Sequence, residues 1–208
     1  MGVTHPSPHI MKLRLGYSLR MDQPDSDVYW LSTRVQLYKN RRIIFSDTDH
    51  EIMPRDKIYP MVLHFHDHDE VLLQCDNRPS METALRLFVK GASVVSMDTL
   101  PSFWRNASDL ASDGTPRFAG VIDAGEEWED SLGRHRTTYN PILYYKITGA
   151  GLTLDSAMTT SIDRRIYGKF YGFDMDNEQY FPAEKALRAF TNEQKRIDKA
   201  RKLPLNGF

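Results

Sequence analysis

Alternating apolar and polar positions near the start of the chain predict a β-strand. Between residues 11 and 21 every second residue is apolar: Met11, Leu13, Leu15, Tyr17, Leu19 and Met21. A period of two is typical of a strand that buries one face. Residues 28–38 and 42–45 also favour strands, and the turn-forming residues 39–41 between them predict a hairpin.

The same pattern continues through the middle of the chain. Residues 59–75 predict a second hairpin whose tip is the polar segment 67–69. Further strands are predicted at residues 92–97, 118–122, 141–148, 152–158 and 166–173, and a short helix at 102–111. Residues 81–89 fit either a helix or a strand, because short apolar runs do not distinguish the two by periodicity.

Only the C-terminus has a clear helical pattern. Pro182 suits a helix start, Pro204 ends the pattern, and the apolar positions between them follow helical spacing: Ala183, Ala186, Leu187, Phe190 and Ile197. We therefore predict an α+β fold dominated by antiparallel sheets, sandwich or barrel-like, with one or two short helices and a C-terminal helix. The predicted organisation is an extended arm (1–10), a β domain (11–180) and a basic helix with its tail (181–208).

Composition narrows the class of protein. The 208 residues include 27 Lys and Arg against 28 Asp and Glu, a net charge of -1. This balance makes nucleic acid an unlikely main partner, because polyanion binders carry a basic surplus. Cys75 is the only cysteine, which excludes an internal disulfide. Neither a membrane-spanning run nor a signal peptide is recognisable, so we expect a cytoplasmic protein or one incorporated in a particle assembled there.

The segment Leu63 to Glu70, LHFHDHDE, is the richest in potential chemistry. It holds three histidines and three carboxylates in eight residues. On a continuous strand, one face would carry His64, His66, His68 and Glu70. On a hairpin that turns at 67–69, His64 and His66 still share a face and Glu70 could return beside them. Two imidazoles and a carboxylate suit a divalent transition metal, which would be the cofactor in that case; otherwise no cofactor is expected.

Two families carry similar motifs. His64, His66 and Glu70 resemble the first motif of the cupins, which implies a small β-barrel enzyme with a central metal. The family's second motif is missing, and Trp104 stands near the position where its histidine would be expected. His64-Phe65-His66 also resembles the paired-histidine element of HUH-type single-strand nickases, which implies a divalent ion and a nucleophilic tyrosine. Tyr144, Tyr145 and Tyr167 are the candidates for that nucleophile.

Charged residues form two further candidate sites, both for binding partners. An acidic loop contains Asp123, Glu126, Glu127, Glu129 and Asp130. The C-terminal helix carries basic residues, of which we select Lys195, Arg196, Lys199, Arg201 and Lys202. Because the two sets have opposite charge, the loop of one copy could bind the helix of another, which predicts a homo-oligomer or contact with other subunits.

These features lead to three hypotheses. The first is a structural subunit of a multi-chain particle, such as a phage tail, connector or capsid accessory protein, which acts through protein–protein contacts. The second is a cupin-like metal-dependent enzyme, and the third is a nickase. We favour the first, because each enzyme hypothesis lacks part of its motif. Whether the protein is an enzyme stays open, and the incomplete motifs weigh against it.

Overall fold

The computed structural model divides the chain into two compact units, with the boundary between Ser102 and Phe103. The structure describes residues 8–22, 34–50, 52–53, 58–75, 83–120, 127–174 and 179–203. Within these ranges the fold is strand-dominated, every sheet is antiparallel and the C-terminal segment is helical, which confirms the predicted fold class.

The described residues of the first unit form nine strands in two antiparallel sheets. One sheet has the order β1-β2-β3-β4; in the other β7 pairs with β5, β6 and β8, and β8 pairs with β9. The strands are β1 (His9–Lys12), β2 (Tyr17–Asp22), β3 (Arg34–Lys39), β4 (Arg42–Asp47), β5 (Ile52–Met53), β6 (Met61–His64), β7 (Asp69–Cys75), β8 (Thr83–Lys90) and β9 (Ser93–Pro101).

Apolar side chains from both sheets form a shared core in this unit. Leu19, Val35 and Leu37 of the first sheet lie in one buried cluster with Val71 and Leu85 of the second. All five are at most 1% exposed. Burial of this extent contributes about 1.5–3 kcal/mol for each large aliphatic side chain, which holds the two sheets face to face.

Turn residues decide where the strands of this unit end. The predicted strand 11–21 is in fact two strands, because Leu15 and Gly16 adopt positive φ and reverse the chain. Met11 then pairs with Leu19, so the period of two continues through a hairpin rather than along one strand. The hairpin predicted at 39–41 is confirmed, with Asn40 and Arg41 both at positive φ.

In its described ranges, the second unit combines two small antiparallel sheets with two helices. The sheets have the orders β10-β13-β14 and β11-β12-β15. The elements are β10 (Arg117–Ala119), β11 (Glu127–Glu129), β12 (His135–Thr138), β13 (Tyr144–Thr148), β14 (Gly151–Leu154), α1 (Ser156–Tyr167), β15 (Tyr180–Pro182) and α2 (Ala183–Lys199).

The helix α2 confirms the predicted C-terminal helix and is part of the second unit. Its buried residues Ala186, Phe190 and Ile197 join Ile162 and Ile166 of α1 in one apolar cluster. These positions recur at spacings of four and seven residues, so each helix presents an apolar stripe to the core. Neither α1 nor α2, in the part of the chain that the structure describes, has the length and hydrophobicity needed to cross a bilayer.

Three local predictions are wrong. Residues 102–111 form turns and isolated bridges instead of a short helix. The strand predicted at 152–158 ends at Leu154, and the helix α1 occupies Ser156–Tyr167. The strand predicted at 166–173 is absent, since Tyr167 ends the helix and Gly168 caps it in the left-handed conformation. The ambiguous segment 81–89 proves to be a strand over the described residues 83–90.

Candidate functional site

The His-rich segment forms the hairpin of β6 and β7, and its register sends neighbouring side chains to opposite faces. His64 pairs with Asp69, and Leu63 pairs with Glu70. Because side chains alternate along a strand, His64 and Asp69 lie on one face and Glu70 on the other. The expected arrangement, in which Glu70 returns beside His64, is therefore wrong.

On the face toward the other sheet, His64 belongs to a polar cluster centred on Asp69. His64 Nδ1 lies 2.6 Å from Asp69 Oδ1. The second carboxylate oxygen accepts a hydrogen bond from the Tyr17 hydroxyl (2.6 Å) and one from the Lys39 ammonium (2.7 Å). Lys39 also donates to the Tyr17 hydroxyl and lies over its ring.

The electrostatics of this cluster favour a charged carboxylate beside a neutral phenol. Burial opposes ionisation of Asp69, but the hydrogen bonds from His64, Lys39 and Tyr17 outweigh it and leave the pKa of Asp69 below its usual value. Burial, together with the hydrogen bond to Asp69, raises the pKa of Tyr17 far above its usual value. The cluster therefore ties β2 and β3 to β7 through charge-assisted hydrogen bonds.

On the opposite face, Glu70 is fully buried between two cationic side chains. Arg86 binds it in a bidentate manner, with Nε and Nη2 at 3.0 and 2.8 Å from its two oxygens. His68 Nε2 lies 3.2 Å from Glu70, and His68 Nδ1 lies 2.7 Å from Asp67. The His68 ring also stacks between Phe65 and Phe88.

Contact with two carboxylates favours the imidazolium form of His68. A neutral imidazole has only one N–H, so both ring nitrogens can donate only when the ring is charged. Burial lowers the pKa of His68, but the hydrogen bonds to Asp67 and Glu70 outweigh it and leave the pKa above the usual value.

The structure therefore does not bring the predicted metal ligands together. His64 is bonded to Asp69 and Glu70 to Arg86, on opposite faces, while His66 is exposed at the hairpin tip. Within the described ranges, no group of three or more His, Cys, Asp or Glu side chains has an arrangement that suits a metal ion. Metal binding by His64, His66 and Glu70 stays a prediction.

The basic residues selected on α2 have two different environments. Arg196 donates to Glu193 Oε1 through Nε (2.8 Å) and to the Leu110 carbonyl through Nη1 (2.6 Å). Its side chain is therefore used in hydrogen bonds within the second unit. Lys195 and Lys199 are exposed, and so are Arg201 and Lys202 just beyond the helix. Binding of a partner by these four side chains stays a prediction.

Two further basic residues, which the sequence-based selection omitted, extend this surface. Lys185, Arg188, Lys195 and Lys199 are exposed and recur at spacings of three, seven and four, which places them within about 80° of the helix circumference. We refer to these four residues as the basic stripe. The helical spacing of these charged residues could have identified the basic stripe from the sequence, whereas the number of basic residues could not.

The acidic loop is only partly described. Asp123 and Glu126 lie outside the described residues, while Glu127 and Glu129 are exposed on β11. Asp130 is not free for a partner, because Arg134 and Arg136 donate to it at 2.9 and 3.2 Å. Burial opposes its ionisation, but hydrogen bonds from the backbone of Arg134 and Leu132 lower the pKa of Asp130 to about 2.

The second unit also contains a buried acidic pair that sequence reasoning missed. The side chain of Glu193 on α2 accepts hydrogen bonds from Tyr144, Arg165 and Arg196, the first at 2.7 Å. Asp163 on α1 accepts one from the Ile142 backbone, and its Oδ2 is buried with no partner in the described part of the chain. Tyr144 and Tyr167, nominated as nucleophiles, are buried and bonded to Glu193 and Asn140, and Tyr145 is also buried.

Comparison with known proteins gives no family for this chain. No protein-family model matches it, and searches of curated proteins and of solved structures return no significant match.

Proposed function

We propose that this protein is a structural subunit of a multi-chain assembly that contacts other copies of itself through β9. A phage-like particle, with the chain as a tail, connector or capsid accessory protein, is the form of assembly we infer. The observation that carries the proposal is the surface of β9: a nine-residue strand that pairs only with β8 among the described strands and exposes residues 95–99 on both faces.

The exposed side chains of this strand include large apolar ones. Val95 and Met97 are 54% and 57% exposed, and Ile43 on β4, which lies beside β9, is 48% exposed. We refer to these three residues as the apolar margin. Proteins normally protect a long edge strand with charge, proline, a β-bulge or a covering element. Between Ser93 and Leu100 this strand has a bulge between Val94 and Ser96 and a single charge, Asp98. An edge with so little charge favours pairing with another strand.

A second copy of the chain fits this edge without a charge conflict. An antiparallel two-fold pairing centred on Ser96 sets Val95 opposite Met97 of the second copy, twice. The same register sets Asp98 opposite Val94 of the second copy, so no like charges face each other. Cross-strand apolar pairs contribute about 0.2–1 kcal/mol each, and burial of the margin adds to this.

The His-rich hairpin supports the structural hypothesis over the enzyme hypotheses. The two buried carboxylates of that hairpin, Asp69 and Glu70, both have partners within the first unit, and these hydrogen bonds hold the strands against one another. A metal would have to displace Lys39 or Arg86 from its carboxylate before it could bind there. This cost favours an architectural role for the hairpin.

Oxidative cross-linking of cysteine variants tests the interface and its register together. In the proposed pairing Ser96 faces its own copy, with Cβ atoms about 4.5–5.5 Å apart, so Ser96→Cys should form a disulfide-linked dimer under mild oxidation. Thr99→Cys on the same strand is the matched control, because it lies about 20 Å from its own copy. The natural Cys75 is buried and should not interfere.

Light scattering gives the second measurement. We expect the native chain to exceed the monomer mass and the Val95→Lys/Met97→Lys variant to be monomeric, while Leu132→Lys, an exposed apolar residue of the other unit, leaves the mass unchanged. A native chain that is monomeric over roughly a hundredfold range of concentration, or equal cross-linking at Ser96 and Thr99, would contradict the proposal.

A further inference from the structure

The exposed face of the sheet β11-β12-β15 carries a cavity that no other part of the proposed function uses. Trp128 is opposite Arg136, and Arg136 is opposite Pro182, so these three side chains share one face. The other face of the sheet carries Thr137, which is buried. The cavity lies on the first face, has a volume of about 470 Å³ and is lined by Trp128, Asp130, Arg136 and Tyr180.

Two aromatic rings form the apolar part of this cavity. The Trp128 and Tyr180 rings meet edge to face, with their centroids 5.0 Å apart. Tyr180 is 55% exposed, so the pair presents ring surface to solvent. Such rings attract ligands with a flat face of C–H groups, because stacking removes apolar surface from water on both sides.

The polar part of the cavity offers N–H donors on Arg136 that no described residue uses, beside a carboxylate that is already hydrogen-bonded. Asp130 is fixed in place, since its carboxylate accepts hydrogen bonds from the backbone of Leu132 and Arg134 and from the side chains of Arg134 and Arg136. Arg136 uses only Nε on Asp130, and neither of its terminal amino groups donates a hydrogen bond to a described residue.

The balance of charge indicates which ligands fit. Asp130 and Arg136 neutralise each other in the cavity wall, so neither a phosphate nor an ammonium group would find an unpaired opposite charge. A purely apolar ligand would leave the terminal amino groups of Arg136 without an acceptor. The favoured ligand is therefore neutral, carries oxygen atoms that accept hydrogen bonds, and has an apolar ring face.

We propose that this cavity binds a neutral saccharide, with the apolar face of a sugar ring packed against the Trp128 and Tyr180 pair and its hydroxyl oxygens accepting hydrogen bonds from the terminal amino groups of Arg136. A proline-rich peptide is the main competitor, because its rings also stack on Trp and Tyr. Such a peptide is extended, at about 3.1 Å per residue, and needs a longer groove than the four residues that line this cavity provide. The volume falls within the range of about 300–1,000 Å³ typical of small-molecule sites.

A printed glycan array probed with the full-length chain tests this proposal. We expect binding to neutral glycans, followed by a saturable change in tryptophan fluorescence when the best of them is titrated in solution. Trp128→Ala should weaken this binding at least tenfold, and Arg136→Gln should weaken it by a smaller factor. Trp128→Phe, which keeps an aromatic ring, should retain most of the binding.

Two controls keep the result unambiguous. Leu132→Ala lies on the same hairpin, is 70% exposed and is not part of the cavity lining, so it should bind as the native chain does. Circular dichroism establishes that each variant is folded.

Four outcomes would each overturn the proposal. They are binding restricted to acidic glycans, no glycan binding at all, equal binding by folded Trp128→Ala, and Trp128-dependent binding of a proline-rich peptide instead of a glycan. Because the cavity and β9 belong to different units, Val95→Lys/Met97→Lys should leave glycan recognition intact.

Discussion

Two fully buried acids in this chain have contrasting environments. Glu70 accepts a bidentate pair of hydrogen bonds from Arg86 and contacts His68. Asp163 contacts no cationic side chain among the described residues and accepts only the Ile142 N–H. Burial, and then the charge of Glu193, raise the pKa of Asp163 to about 7. Burial of Glu70 therefore depends on its pairing with Arg86, whereas burial of Asp163 depends on its being protonated.

Replacing Asp163 with asparagine should remove a pH dependence of stability. In the folded chain Asp163 binds a proton up to about pH 7, whereas its ordinary value of 3.8 applies after unfolding. The folded state thus holds more protons between these limits, and the free energy of unfolding falls as pH rises from about 4 to 7. Asp163→Asn keeps an acceptor for Ile142, so it should be more stable above pH 7, by at most about 4 kcal/mol.

Urea denaturation at a series of pH values measures this effect as the difference between the native chain and the variant. The difference should be near zero at pH 4 and level off above pH 7. A difference that is independent of pH would show that Asp163 is already ionised in the fold. Glu193, Tyr139 and Tyr167 also influence Asp163 and remain in both proteins, so their own titration largely cancels.

Removing Arg86 should cost far more than removing an exposed cation. Arg86→Met leaves Glu70 buried without its bidentate partner, and we expect the free energy of unfolding to fall by about 3–5 kcal/mol. Glu70→Met/Arg86→Met removes both charges and should recover most of that loss. Lys90→Met is the matched control: its pair with Asp67 is exposed on both sides, so the loss should stay below about 1 kcal/mol. A double variant no more stable than Arg86→Met would contradict the argument.

At the scale of elements, strands and helices differ in how well the sequence predicts them. The alternation around Tyr17, Leu19 and Met21 identified β2, and the apolar spacing after Pro182 identified α2, because in both the pattern matches the buried face. The helix α1 was missed because its sequence, SAMTTSIDRRIY, is rich in β-branched and polar residues. The sequence does indicate where α1 begins and ends, because Asp155 and Gly168 are good capping residues.

The candidate site was predictable in composition but not in geometry. The sequence identified the hairpin around residues 64–70, yet the face of each side chain depends on the register, and a change of one residue reverses it. Here the tip spans residues 65–68 instead of 67–69, so Asp69 rather than Glu70 lies opposite His64. The pairing of Glu70 with Arg86 joins residues 16 positions apart, a contact that no local motif predicts.

The start of α1 should tolerate Asn at position 155 better than Ala. Asp155 caps the helix by accepting the Met158 N–H (3.1 Å) and also binds Arg117 Nε (2.8 Å). Asp155→Asn keeps the cap and loses the ion pair, whereas Asp155→Ala loses both, so Ala should be less stable than Asn by about 1 kcal/mol. Arg117 keeps its second partner, Asp113, in both variants. Equal stability of the two variants in urea denaturation would show that the cap contributes nothing.

At the scale of the whole molecule, the near-zero net charge conceals an uneven distribution. The basic stripe and the exposed side chains of Arg201 and Lys202 concentrate positive charge on one helix and the residues after it. The described acidic residues at 127–130 do not provide a matching negative surface, because Asp130 is already bound by Arg134 and Arg136. Charge complementarity between copies is therefore weaker than the sequence indicates, and the apolar margin is the stronger argument for self-association.

Self-association through β9 should make thermal stability depend on protein concentration. If the folded chain pairs with a second copy and the unfolded chain does not, mass action stabilises the fold, and each tenfold rise in concentration should raise Tm measurably. Val95→Lys/Met97→Lys places two cations on an exposed strand, so it should abolish this dependence without lowering Tm at high dilution. The measurement is calorimetry of both proteins over the same concentration series, with Leu132→Lys as the control for added charge. A concentration-independent Tm in the native chain would show that the edge of β9 is a free surface, since no interface that forms only in the fold can avoid this linkage.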